Sequence, residues 1–111
     1  MVNQVLQLSD AQIKQFNQDG FLVLKHLISD EFASLLASRF DPLFAGEFDT
    51  GIYPDEWYWR SGMSLPDVTR HMGNVWKSDR RIASLVLSAE IGRLIATLAG
   101  WSGARMGQDT L

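Results

Sequence analysis

The stretch from Leu8 to Leu36, LSDAQIKQFNQDGFLVLKHLISDEFASLL, constrains the fold more than any other part of the chain. Its punctuation allows a helix, a strand and a helix, with little sequence between them. Ser9 is an N-cap residue, because its hydroxyl can accept from a backbone N–H of the first turn. Gln12, three positions on, completes an S-x-x-Q capping box, and Leu8 and Ile13 flank the cap as a hydrophobic staple. Ile13 and Phe16 share one helix face. Gly20 then ends the helix, since glycine takes a left-handed C-terminal conformation at no steric cost. Phe21, Leu22, Val23 and Leu24 follow at once. The run is too short for a helix and apolar on both faces, so it predicts a buried strand over about 21–25. Ser29 opens a second helix, with Asp30 and Glu31 in the first turn, where the helix dipole favours anions.

Further along, Phe32, Leu35, Leu36, Phe40, Leu43 and Phe44 keep helical spacing. Pro42 interrupts it, and a proline inside a helix removes a hydrogen bond and clashes with the preceding turn, so a kink or an end is expected near Phe40. From Glu47 to Asn74 periodicity vanishes, and Gly51, Pro54, Gly62, Pro66 and Gly73 recur as breakers. Loops of this length are usually functional or disordered. The aromatics Phe48, Tyr53, Trp57, Tyr58 and Trp59 argue against disorder. Ser78 is expected to cap a helix over 79–87 with Ile82, Leu85 and Val86 inward. Ser88 is expected to cap the next, with Ile91, Leu94, Ile95 and Leu98 on one face and Gly100 at its end. Ala104 to Leu111 alternates, with Met106, Gln108 and Thr110 on one side, as a weak strand would. Residues 1–8 read as a loose arm with Val5 and Leu6 docked. The pattern as a whole is α+β: a mainly helical segment with two or three short strands, forming a single domain or fragment over 1–111.

Composition narrows the function classes. Hydrophobic residues make up 46% of the 111, a globular proportion. A net charge of −3 gives no general reason to bind nucleic acid or an anionic membrane. With no cysteine, disulfides and thiolate metal sites are excluded, and a reducing compartment fits. The start, MVNQVLQLS, lacks a basic region followed by an apolar core, so no signal peptide is read. No uninterrupted apolar run approaches the ~20 residues of a membrane span. The expectation is a soluble cytoplasmic protein with neither nucleic acid nor membrane as partner.

The string LSDAQIKQFNQDGFLVLKHLIS resembles the N-terminus of the phytanoyl-CoA dioxygenase family, iron(II)- and 2-oxoglutarate-dependent oxygenases built on a double-stranded β-helix. That family opens L-S/T-x-x-Q-x-x-x-F-x-x-D/E-G and continues with a strand of the G-[FY]-[LV]-V-[LV] type. The matching positions are Leu8, Ser9, Gln12, Phe16, Asp19, Gly20, Phe21, Leu22, Val23 and Leu24. GNVWKSDRRIASLVLSAEIGRLIATLAGW is similar to the helical stretch before the first barrel strands, and ARMGQDTL to one of those strands. The resemblance implies the helical cover and first strands of a jelly-roll oxygenase. The complete family member would hydroxylate a small organic substrate with iron(II), dioxygen and 2-oxoglutarate. The chain departs from the family where the metal binds. The family uses His-x-Asp and a distal His, with an Arg beyond for 2-oxoglutarate. Here His26 precedes Leu27 and Ile28, and His71 precedes Met72 and Gly73. The chain therefore reads as the N-terminal part of such a domain without its metal-binding strands, inactive in isolation, with no catalytic residue and no metal ligand assigned.

Candidate site residues follow. By the resemblance, Gln108 and Thr110 are cofactor-facing positions on their strand; the plain alternative is an ordinary ladder on a solvated face. Trp57 and Trp59, with His71, form a candidate substrate lid, since Trp combines flat apolar area with one polar handle; the plain alternative is that the rings fill space beneath the loop. Lys77, Arg80 and Arg81, with Arg70 nearby, form a basic cluster able to attract an acidic cosubstrate or a phosphate. A solvated helix face is the commoner outcome for such a cluster, and Asp79 within it reduces its charge. His26 and His71 with a carboxylate satisfy a two-His, one-carboxylate iron site only in arithmetic. Two functions are therefore in play: a piece of an oxygenase, and a free-standing α+β binding protein acting through its aromatic loop. Open strand edges add an expectation of self-association.

Overall fold

The computed structural model describes residues 7–111, so the expected docking of Val5 and Leu6 lies outside the described residues. Helix α1, Asp10–Asp19, forms as its local signals dictate. The Ser9 hydroxyl accepts from the Gln12 N–H at 3.2 Å, and the Gln12 side chain accepts from the Ser9 N–H at 2.9 Å. Gly20 sits at φ 79°, and its N–H donates to the Phe16 carbonyl at 2.8 Å. No residue of α1 is buried, so capping rather than packing delimits it.

Residues 21–24 correct the expectation of a buried strand. They have no sheet pairing, and exposure alternates: Phe21 and Val23 are 60% and 70% exposed, while Leu22 and Leu24 are partly covered. A strand apolar on both faces needs protein on each side. Here the chain turns at Lys25 and His26, where His26 adopts φ 56°, and runs directly into the next helix. One side of the segment is left to solvent.

Helix α2, Asp30–Ala37, starts at Ser29, whose hydroxyl accepts from the Phe32 N–H at 3.1 Å. The apolar stripe then breaks as Pro42 requires. Helix α3, Phe40–Phe44, is a separate short helix, and Pro42 lies in its first turn, where its missing N–H costs nothing. Strands β1, Glu56–Trp57, and β2, Met72–Gly73, pair antiparallel with Glu56 opposite Gly73 and Trp57 opposite Met72. This hairpin lies inside the stretch expected to lack structure. At two residues per strand it is too short to leave a period-2 signature. The C-terminal strand is shorter than expected. Thr110 bridges to Gly73, and Met72 and Leu111 exchange backbone hydrogen bonds at 3.0 and 2.9 Å, while 104–108 stays unpaired.

After a 3-10 turn at Val75–Lys77 comes helix α4, Arg80–Val86. Its cap is Asp79 and not Ser78: Asp79 Oδ1 accepts from the Arg81 and Ile82 N–H groups at 2.9 and 3.1 Å, and Ser78 is fully buried. Helix α5, Ala89–Ala99, begins at Ser88 and ends at Gly100, φ 69°, as its sequence predicts. By length and mean hydropathy the 20 residues of Arg80–Ala99 are apolar enough to cross a bilayer, although charged residues interrupt them. Its backbone is broken, however: Ser88 has ψ 127°, dividing the stretch into helices of 7 and 11 residues. At about 1.5 Å per residue neither piece reaches a hydrocarbon core of roughly 30 Å.

The described residues thus form an α+β fold of five α-helices and one small antiparallel sheet. Leu36, Leu43 and Phe44 from α2 and α3 meet Met72, Val75 and Ile82 from β2, the 3-10 turn and α4 to make the core. Arg39, just before α3, crosses this core to Asp79, its Nε donating to Oδ2 at 2.7 Å. The molecule is elongated, 50 × 26 × 24 Å, with a radius of gyration of 16.3 Å. A compact domain of this length would be nearer 13 Å.

Candidate functional site

The loop from Glu47 to Asn74 is built on its aromatic side chains. Gly46 turns the chain at φ 88°, and the Trp57 ring lies where its Cβ would be, with Cη2 at 2.8 Å from that position. Phe48 meets Trp57 edge-on at 5.1 Å, Tyr53 stacks on Trp57 at 5.9 Å, and the Arg60 guanidinium covers the ring at 4.3 Å. Trp57 packs on the core, and its indole N–H is buried with no hydrogen-bond partner. Trp59 also packs on the core. It meets Phe44 edge-on at 5.9 Å, carries Arg70 at 3.7 Å above its ring, and donates its indole N–H to the Leu65 carbonyl at 2.8 Å. Of the three expected lid residues, Trp59 and His71 come to one pocket, and Trp57 packs on the core instead.

That pocket has a volume of about 370 Å³. Trp59, Tyr58, Leu65 and Val68 supply apolar wall, and Ser64, Thr69 and His71 supply polar groups. His71 Nε2 lies 3.0 Å from Glu56 Oε2. Glu56 can lie across β2 because its partner is Gly73: a Cβ there would stand 3.1 Å from Oε2 and 3.2 Å from the Glu56 Cβ. The glycine thereby makes room for the carboxylate that faces the imidazole. A pair of two-residue strands gave this juxtaposition no signal in sequence.

A larger groove, about 1040 Å³, runs along α5 and the 101–108 segment. Leu27, Ile28, Ile91, Ile95 and Trp101 line it, and Gln108 lies at it. Thr110 is instead engaged in the bridge to Gly73. The expected common face for Gln108 and Thr110 needed a regular strand, and pairing reaches only 109–111.

The basic cluster is dispersed. The Lys77 ammonium donates to both Asp55 oxygens at 2.7 and 2.8 Å, Arg80 donates to the Asp49 carbonyl at 2.8 Å, and Arg70 lies over Trp59. Asp79 does not neutralise its neighbours in sequence but serves Arg39 and the start of α4. Burial disfavours the charged Asp79 carboxylate, yet the Arg39 guanidinium and the Ile82 and Arg81 N–H groups outweigh it and hold its pKa below the ordinary 3.8. The hydrogen bond from Lys77, then that from the Asn74 amide, lowers Asp55 in the same direction. Both arrangements fix the scaffold around the loop.

Among the described residues no three His, Cys, Asp or Glu side chains converge to hold a metal ion. His26 lies in the turn before α2 and His71 beside β1, with Glu56 as its carboxylate neighbour. This donor set does not fit an iron centre. Compared with known proteins, the chain matches no family model, no curated protein and no solved structure at a significant level.

Proposed function

We propose that this chain is the N-terminal helical cover and first strands of a phytanoyl-CoA dioxygenase-like oxygenase of the jelly-roll type. The complete protein would hydroxylate a small organic substrate using iron(II), dioxygen and 2-oxoglutarate. The observation that carries the reading is the placement of 109–111. This segment pairs with the free edge of β2 through the Thr110–Gly73 bridge and the backbone hydrogen bonds around it, and Thr110 is exposed. A sheet that grows at this edge is what a barrel continuing past Leu111 requires. The S-x-x-Q…G opening and the α4–α5 helical block in the expected order support it further. In this reading the chain contributes packing, the loop wall at Trp59 and His71, and Gln108 at the α5 groove. Iron has no ligand set among the described residues, and no chemical step is assigned to them.

The test is twofold. The reading frame past Leu111 should run into His-x-Asp within a strand or so. The 111-residue chain should release no succinate from 2-oxoglutarate with iron(II) present. Succinate release that depends on His26 and His71 would overturn the assignment of the metal site to sequence beyond this chain. A second reading, a binding protein acting through its aromatic loop, is favoured by the exposure of Tyr53, Tyr58, Met63 and Leu65. A stop codon after Leu111 with no such motif in frame would select it.

A further inference from the structure

We propose that the pocket between Trp59 and His71 binds a small, single-ring aromatic molecule bearing a hydroxyl, with His71 as the acceptor for that hydroxyl. The site is a shallow, open depression of about 370 Å³, with room for one ring laid against the Trp59 wall. Its apolar wall is fixed in place. Trp59 is held by its hydrogen bond to the Leu65 carbonyl on its edge and by Arg70 against its ring. Arg70 itself is anchored toward Asp41 at 3.6 Å. A preset aromatic wall gives a flat ligand contact area without the cost of ordering it. Leu65 and Val68 add aliphatic surface, 72% and 45% exposed and so available to a ligand.

The polar end is as specific. The Glu56 carboxylate at 3.0 Å favours the proton on His71 Nε2. A neutral imidazole with its proton on Nε2 has its other nitrogen, Nδ1, as an acceptor. An acceptor beside an aromatic wall selects a ring that carries a donor over the bare ring. Gly73 supports the arrangement from behind, since a Cβ there would crowd the Glu56 side chain at 3.1–3.3 Å. Ser64 is partly committed, its hydroxyl accepting from the Arg60 N–H at 2.9 Å. Thr69 adds a second hydroxyl at the pocket, and His71 is the polar group whose free ring nitrogen is set by its contact with Glu56. The site is lined by residues of this chain and needs neither iron nor 2-oxoglutarate, so its fate and that of the oxygenase reading are decided separately.

The experiment is an NMR titration of the intact chain with 4-methylphenol and, in parallel, with toluene. The Trp59 indole N–H is the reporter, and the Trp76 indole N–H serves as an internal control. A saturable shift at Trp59, with toluene binding at least about fivefold more weakly, is expected from the loss of one hydrogen bond. His71→Ala should remove the preference for the phenol, and Glu56→Gln should reduce it. Leu65→Arg, at an exposed position, should abolish binding of both while leaving the melting temperature unchanged. No saturable shift at Trp59, equal affinity for toluene and the phenol, or a preference that survives His71→Ala would each overturn the proposal. Should His71→Ala fail to fold, the ligand comparison and Leu65→Arg decide it on their own.

Discussion

Asp79 ties the start of α4 to the segment before α3. It is fully buried, it caps α4, and it receives the Arg39 guanidinium from across the core. Removing one partner of such a pair leaves the other charge or its donors uncompensated, at about 3–5 kcal/mol. Asp79→Ala should therefore shift the urea midpoint strongly, and Arg39→Ala should approach it. Arg81→Ala should leave the midpoint nearly unchanged, because its side chain is exposed and forms no ion pair in the described structure. The pH dependence has a definite sign. The folded-state pKa of Asp79 lies below 3.8, so the unfolded chain binds the proton more readily. The stabilisation is then complete above the unfolded value and is lost as pH falls through the folded one. Asp55 contributes in the same window and direction. Unfolding followed by circular dichroism from pH 6 downward should show stability falling below pH 4 in the wild type and a shallower fall in Asp79→Asn.

Glycines at positive φ separate backbone strain from steric overlap at the level of elements. Gly20 ends α1 at φ 79° with nothing within 4 Å of a would-be Cβ. Gly20→Val should cost only the strain of a β-branched residue in that region, about 1–3 kcal/mol. Ser9→Ala at the other end of α1 should cost about 1 kcal/mol. Gly46 at φ 88° has the Trp57 ring 2.8 Å from a would-be Cβ, so strain and collision add. Gly46→Ala should destabilise more than Gly20→Ala and should move the near-ultraviolet signal of the tryptophans, which Gly20→Ala should not. Equal midpoints for the two alanine variants would show that Trp57 yields freely to the new methyl group.

The whole molecule is thinly cored for its length. Among the described residues eight hydrophobic side chains are buried, while Phe21, Val23, Ile95 and Trp101 are exposed. The sheet ends in an outer segment of three residues with Thr110 exposed. Exposed apolar area and an open edge both favour association with other chains. In size-exclusion chromatography with light scattering, the isolated chain should show a mass above that of the monomer, rising with concentration. A sharp monomer that melts cooperatively at every concentration would show that the small core suffices.

Local chemistry determined the helices. Ser9 with Gln12, Ser29, Ser88, Gly20, Gly100 and the break before Pro42 each act within one turn of chain, and their outcome needs no distant partner. The class, α+β, was legible for the same reason. Tertiary structure decided everything that depends on what lies opposite. Phe21–Leu24 looked like a strand but received no sheet neighbour, since an apolar run specifies a wish for cover and not the element that supplies it. Ser78 lost the cap to Asp79 because Arg39, forty positions away, makes burial of that carboxylate possible. Lys77, Arg80 and Arg70 of the basic cluster are taken by separate partners that only the folded loop brings near. The facing of His71 and Glu56 rests on a hairpin of two-residue strands and on a glycine whose missing side chain makes room for a carboxylate. A constraint of that kind acts between residues distant in sequence, and the pattern along the chain has no term for it.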